Sequence, residues 1–341
     1  MVTCVARSSI FRRVSQFQSP LTIPYFTARA TLRSYSGTMP SSLNGTATPQ
    51  STTPLKNGRL DLQVPKSEDD ATIRSKYRPF LLDEDVANTD WVSKLELDTV
   101  ESMVQSDLTA TNHNRIKVLV LYGSLRSRSY SRLLAFECSR ILHRLGCDVR
   151  VFDPTDLPVK DDTKQDHPKV QELRQLSTWS DGHVWVSPEQ HGNLTAVFKN
   201  QIDWIPLSTG SVRPTQGRTL AIAQVSGGSQ SFNTVNSLRM LGRWMRLFAI
   251  PNQSSVPMAY KQFTDACEAG TDVVKAEGGS RLMPLGNRDR VVDCMEEFVK
   301  YTIVMRPHFE LFADRYSERT ERRVKEEKKA AEEGRANGAS T

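Results

Sequence analysis

The chain has 341 residues, 45 Lys or Arg against 39 Asp or Glu, and a formal net charge of +6. Seven of the basic residues (Arg7, Arg12, Arg13, Arg29, Arg33, Lys56 and Arg59) lie before residue 61 with no acid among them, so the remainder carries −1 and a nucleic-acid footprint is not indicated. No run approaches the ~20 apolar residues that span a bilayer, and the five cysteines (Cys4, Cys138, Cys147, Cys267, Cys294) lack C-x-x-C spacing, which argues for reduced thiols in an intracellular protein and against a cysteine-ligated metal.

Residues 1–38 are rich in Arg, Ser and Thr, free of acids, and dotted with Ile10, Phe11, Val14 and Phe17. That is the composition of an organelle-targeting presequence, and Arg33-Ser34-Tyr35-Ser36 resembles an arginine-anchored mitochondrial cleavage motif. The other reading is a start at Met39. Translation from Met1 implies the mitochondrial matrix, translation from Met39 the cytoplasm. Residues 39–58 are a Ser/Thr/Pro/Asn/Gly linker with nothing to bury. Residues 59–112 form a charged arm with scattered Tyr77, Phe80, Leu81, Leu82, Trp91 and Val92, suited to packing across the domain or onto a neighbouring subunit; the other reading, since no period dominates, is partial disorder.

The catalytic body is expected over 113–321. It opens with Lys117-Val118-Leu119-Val120-Leu121-Tyr122, an apolar, partly β-branched run that reads as a strand buried on both faces. Gly123 and a run of hydroxyl and guanidinium side chains follow, then a helical pattern through Leu133, Leu134, Phe136, Ile141, Leu142 and Leu145. Further strands are predicted at 147–152, 182–186 and 219–225, with helices from Pro168, over 194–204 and over 232–248. Strand–helix alternation predicts an α/β fold: a flavodoxin-like, doubly wound five-stranded parallel sheet of order 2-1-3-4-5 with helices on both faces. A helix is also predicted from Asp289 to Met305, before Pro307. Residues 322–341 read as a charged tail, a solvated helix with i,i+4 pairs fading at its end.

In this fold ligands bind beyond the carboxyl ends of the strands. The loop after the first strand lacks both G-x-G-x-x-G and G-x-x-x-x-G-K. It offers Ser124, Ser129 and Ser131 as hydroxyl donors and Arg126 as a charged one, a set that suits a phosphate monoester at a helix N-terminus. The alternative is an ordinary turn with a serine cap and solvated arginines. The third strand ends in Pro188-Glu189-Gln190-His191-Gly192, and the fourth in Ser226-Gly227-Gly228-Ser229. The paired glycines leave room for a flat ring against the backbone; the other reading is a tight turn.

Gly-Ser-Leu-Arg-x-x-Ser-Tyr-Ser at 123–131 resembles the phosphate loop of NADPH-dependent FMN reductases. Gln201-Ile202-Asp203-Trp204-Ile205-Pro206-Leu207-Ser208, Arg213-Pro214-Thr215-Gln216-Gly217, the run from Gln224 to Asn233, Leu241-Gly242-Arg243-Trp244-Met245-Arg246, Ile250-Pro251-Asn252-Gln253-Ser254-Ser255 and Asp314-Arg315-Tyr316-Ser317-Glu318-Arg319 extend it. Together they closely resemble the ArsH family of arsenical-resistance flavoproteins over about residues 113–321. The resemblance implies a homotetrameric FMN enzyme that takes hydride from NADPH and passes electrons, in ping-pong fashion through the flavin N5, to or from a small-molecule acceptor. Trivalent organoarsenicals, quinones, flavins, metal ions or oxygen are the acceptor classes. It implies that Ser124, Arg126, Ser129 and Ser131 hold the FMN phosphate. Pro188, Glu189, Gln190, His191 and Gly192, with Ser226, Gly227, Gly228 and Ser229, then border the isoalloxazine. No protein side chain is a catalytic residue on this reading, because the flavin carries the chemistry. No metal, membrane or nucleic-acid partner is expected.

The sequence departs from the family at Gln190 (Arg expected), Ala196 (Gly) and Phe198 (Met). It carries an insertion between Phe263 and Arg281, and lacks an aromatic pair over 285–290. Arg213, Arg218 and Arg243 are candidates for the extra phosphate of NADPH, although solvent-edge arginines are the commoner explanation, and Trp204 and Trp244 for walls of the ring or of a subunit interface, although a large aromatic in such strings is more often core. The alternative functions are a flavodoxin-like electron carrier and an NAD(P)H:quinone reductase with no arsenic role.

Overall fold

A computed structural model describes residues 62–205, 215–265, 280–312 and 315–338. The presequence and linker expected at 1–38 and 39–58 lie outside the described residues, as do Arg213 and all but the margins of the insertion.

The sheet is built from β1 (Lys117–Tyr122), β2 (Asp148–Phe152), β3 (Gly182–Pro188), β4 (Thr219–Val225), β5 (Phe248–Ala249) and β6 (Ser254–Val256). All pairings are parallel, in the order β2-β1-β3-β4-β5, with β6 also on β4. The predicted order 2-1-3-4-5 is therefore the observed one. The fifth strand comes in two pieces because Pro251 supplies no backbone donor; beside it, the Asn252 N–H turns to Glu297 Oε1 at 3.1 Å.

Burial on both faces explains the continuous apolar runs. Within β1, Val118, Val120 and Tyr122 face one core, and Leu119 and Leu121 the other. The same alternation divides β4 into Ala221, Ala223 and Val225 on one side and Leu220 and Ile222 on the other. The first core is closed by α4 (Tyr130–Arg144) and α8 (Gly286–Met305), and the second by α5 (Pro168–Trp179), α6 (Ala196–Trp204) and α7 (Asn233–Trp244). Where α8 crosses the amino end of β3, Gly182 is obligatory. A methyl there would sit 2.5 Å from Thr219 Oγ1 and 2.7 Å from Phe298 Cζ.

The arm contains α1 (Ala71–Tyr77), α2 (Glu84–Ala87), a 3-10 turn (Val92–Lys94) and α3 (Asp98–Ala110). It packs across the first core: Phe80, Val92, Leu97, Val100, Val104 and Leu108 are all buried in it. The buried Arg78 joins Asp69 at 2.6 Å to Asp148 of β2 at 2.7 Å. Beyond α8, a 3-10 turn carries Pro307, α9 (Phe309–Phe312) follows, and α10 (Tyr316–Gly338) runs out as the expected solvated helix.

Three helix limits differ from expectation: the helix expected from Asp289 already begins at Gly286. The 194–204 helix begins at Ala196, with Thr195 as its cap, and the 232–248 helix stops at Trp244. Phe248 belongs to β5. It had matched the helical period only by coincidence, since Arg246 in the left-handed region (φ 59°) turns the chain back to pair with β4.

Candidate functional site

Three loops meet at the carboxyl edge of the sheet. After β1, Gly123 is pressed against the loop after β3: a Cβ there would lie 3.0 Å from Pro188 Cδ and 2.9 Å from Thr195 Oγ1. Thr195 donates to Gly123 O at 2.6 Å and caps α6 by accepting from Phe198 N. Pro188 is in register with Val225, so the β4 loop begins beside it. The Glu189 N–H donates to Val225 O at 2.8 Å. Ser124, Pro188 and Gly227 thus belong to adjoining loops on one edge, onto which the N-termini of α4, α6 and α7 also open. Each such terminus presents N–H groups without intrahelical partners.

In the first loop, Ser124 is half-buried and its Oγ accepts from Arg126 N at 3.3 Å, while the Arg126 side chain is exposed. Ser129 caps α4 by accepting from Arg132 N at 3.2 Å, and its Oγ lies 3.1 Å from Ser131 Oγ. Both of these serines are buried. The serine-cap reading therefore holds at Ser129, while the Arg126 side chain is left exposed. Beneath the loop, the Tyr122 hydroxyl donates to Asp153 Oδ1 at 2.9 Å. Burial and that carboxylate push the phenol well above its ordinary range. Burial opposes ionisation of Asp153, but bonds from Thr155 and Tyr122 hold its carboxyl below the usual value.

The second loop is a two-residue turn. Gln190 and Asn193 exchange backbone bonds at 2.9 and 3.1 Å across His191 (φ 52°) and Gly192 (φ 72°), both left-handed. Gln190, His191 and Gly192 are exposed, with Gln190 Nε2 3.2 Å from His191 Nε2. Glu189 is held from the next loop, accepting from Ser231 Oγ at 2.6 Å and Gln224 Nε2 at 3.3 Å.

In the third loop the buried Ser226 donates its N–H to Val256 O at 3.0 Å, and Gly227, Gly228 and Ser229 are exposed. Neither glycine has a left-handed φ, and a Cβ on either would meet nothing within 4 Å. Among the described residues nothing requires glycine at these two positions. The space they leave opens outward at the edge where the other loops converge.

Residues that sequence reasoning passed over hold this edge together: Thr195, Gln224, Ser231, Arg128 and Arg132. Gln224 also accepts from Val235 N at 2.8 Å, so it orients α7 as well as Glu189. A lone glutamine near the end of an otherwise apolar strand was the available signal.

The secondary candidates lie elsewhere. Trp204 is fully buried in the second core and donates Nε1 to Pro158 O at 2.6 Å, so it forms no wall of the site. Arg218 sits at the amino end of β4, 3.4 Å from Asp181, at the opposite edge of the sheet. Arg243 and Trp244 are in the last turn of α7, whose exit returns to that same amino edge. Among the described residues, no group of three His, Cys, Asp or Glu could hold a metal ion, and no helix is long and apolar enough to cross a membrane.

Residues 116–261 match the NADPH-dependent FMN reductase family. The chain is 56% identical over 212 residues to the NADPH-dependent FMN reductase ArsH of Rhizobium meliloti (strain 1021), covering 62% of this chain and 83% of the relative. It is 53% identical over 205 residues to the NADPH-dependent FMN reductase ArsH of Shigella flexneri, covering 60% and 75%. Among solved structures, the flavoenzyme NAD(P)H:(acceptor) oxidoreductase FerB of Paracoccus denitrificans is 20% identical with a TM-score of 0.39, covering 56% of this chain and 97% of that one.

Proposed function

The chain belongs to the ArsH family of NADPH-dependent FMN reductases, and from that premise we propose that it binds FMN at the carboxyl edge of its sheet and uses NADPH to drive electron transfer to a small-molecule acceptor. The observation that carries the assignment of the site is the open Gly227–Gly228 pair beside Pro188, where neither backbone strain nor a protein neighbour demands glycine. A cradle of that kind fits a flat ring lying against the main chain. When bound there, FMN supplies a two-electron relay between nicotinamide and acceptor.

The chain's own part is to hold and orient. Arg126 and Ser124 would donate to the phosphate oxygens, alongside the first-turn N–H groups of α4 fixed by the Ser129–Ser131 pair. Pro188, Glu189, Gln190, His191 and Gly192 would border the ring on one side, and Ser226, Gly227, Gly228 and Ser229 on the other. Backbone N–H groups of the glycine loop would favour negative charge at the ring. Glu189, tied down by Ser231 and Gln224, is kept from swinging over it.

Gln190, in place of an expected arginine at an exposed turn, removes a cation from the rim. This weakens the case for an oxyanion acceptor relative to a neutral one such as a quinone. Assembly is proposed to be a homotetramer. The test is turnover of NADPH by FMN-loaded protein with a quinone, ferric iron or oxygen as the acceptor, and with methylarsenite added as a second electron donor whose oxidation is followed while oxygen takes the electrons. Flavin absorbance that bleaches with NADPH supports the reading. Protein that takes up no FMN overturns it, and a bound flavin that NADPH does not bleach turns the protein into an electron carrier.

A further inference from the structure

The loop proposed to take the FMN phosphate is held at its two ends, where Thr195 donates to Gly123 O and Ser129 caps α4. Between them residues 125–127 are exposed, and beside the Ser124–Arg126 turn and a bond from Arg132 to Ser127 O, the long-range tie is made by Arg128. The Arg128 guanidinium does not face the loop's own hydroxyls. It donates to Ser280 Oγ at 2.8 Å and Thr264 O at 3.0 Å, residues more than 130 positions away, and lies over the Tyr130 ring at 5.4 Å. Ser280 is buried.

Those two partners stand at the base of the insertion, and the base is braced. Thr264 and Arg281 exchange two bonds, Thr264 N to Arg281 O at 2.9 Å and Arg281 N to Thr264 Oγ1 at 2.8 Å. Phe263 bridges Leu282 in antiparallel fashion. The Arg281 side chain then grips Glu137 at 2.8 and 2.9 Å, with Asp90 of the arm on its other edge. Glu137 is fully buried on α4, and it also accepts from Leu282 N at 2.9 Å. Burial opposes its charge, but Arg140 and Arg281 keep its carboxyl below the usual range. The path therefore closes on itself: phosphate loop, Arg128, Ser280 and Thr264, Arg281, Glu137, and back along α4 to Ser129.

We infer that Arg128 is a positioning residue that presets the phosphate loop by tying it, through Ser280 and Thr264, to the braced base of the insertion. The inference rests on the FMN reading of this loop proposed above. A loop already in its binding shape loses less freedom when the anion arrives, and the gain appears as affinity for the phosphate. Because Ser280 lies outside the loop, its hydroxyl reports on the tie and not on direct contact with phosphate.

Full-length wild type, Arg128→Ala, Ser280→Ala and the double variant are titrated with FMN and with riboflavin by flavin fluorescence, and circular dichroism checks their folding. Arg128→Ala weakens FMN about tenfold and Ser280→Ala a few-fold, while the double variant is no worse than Arg128→Ala, since both changes cut one tie. Riboflavin, without the phosphate, binds all four alike. An ineffective Ser280→Ala, additive losses, or equal losses for riboflavin overturn the inference. Wild type that binds FMN and loses it on Ser124→Ala, but not on Arg128→Ala or Ser280→Ala, overturns this inference and leaves the FMN reading standing. Wild type that binds no FMN overturns both.

Discussion

An added methyl group means different things at different glycines of this chain. At Gly227 it would enter open space, whereas at Gly182 it would collide with Thr219 and Phe298. Gly227→Val is therefore expected to unfold at the same temperature as wild type yet lose at least about tenfold in FMN affinity, about 1.4 kcal/mol, read by thermal denaturation and flavin titration. Gly182→Ala is expected to lose about 1–3 kcal/mol of stability through overpacking, measured by denaturant unfolding. The sequence showed a Gly-Gly pair but not which of its two readings applied, because that depends on neighbours from other loops. Histidine carries a second residue-scale consequence. His143 and His183 are buried, and burial first, then nearby arginines, push both down to about 3. Their unfolded value lies near 6.5, so the unfolded chain binds these protons first as pH falls. Stability is complete above about pH 6.5 and declines toward pH 3 by about 1.4 kcal/mol per unit for each ring. Unfolding curves at pH 7, 6 and 5 should show this slope, and His143→Leu should remove about half of it.

Elements whose ends are written by residue type were legible, and those ended by context were not. Pro168 opened α5, and Ser129 sat where a cap belongs for α4. The end of α7 carries the same bond pattern that a C-terminal glycine usually marks, with Leu247 N donating to Gly242 O at 2.9 Å. Its left-handed position is held by Arg246 instead, so no glycine announced the stop. The arm shows the same limit. Its apolar residues obey no single period because they plug a surface made by α4 and α8, and Phe80 and Val100 have no exposure at all. Packing across its own domain, one of the three readings open from sequence, has a sharp consequence. Phe80→Ala should cost about 3–5 kcal/mol. A chain begun at Leu62 should unfold in one cooperative step, while one begun at Asn114 should not, as followed by circular dichroism.

At the scale of the whole molecule, charge and apolar exposure are distributed unevenly. The terminal helix α10 is charged along its length, and its i,i+4 pairs, Arg323–Glu327 at 3.6 Å and Lys329–Glu333 at 3.7 Å, are highly exposed. Pairs of that kind contribute little in water. At its start Glu318 is buried and its carboxylate accepts from Arg315 Nε at 2.6 Å. Apolar side chains are exposed on α7 and near the end of α8, with Met240 63%, Trp244 59% and Val304 57% accessible, and also at Leu311 of α9 and Tyr316 at the start of α10. Surfaces of that character are the ones proteins cover on assembly. If the proposed homotetramer forms, it should draw on such apolar faces and not on the tail. Truncation after Glu321 should then leave a particle of four chains by light scattering, with stability changed by less than about 1 kcal/mol. Trp244→Glu should shift the particle toward smaller species without altering the far-ultraviolet spectrum, because Trp244 lies outside both cores. A tail truncation that dissociates the particle would move the assembly surface to α10.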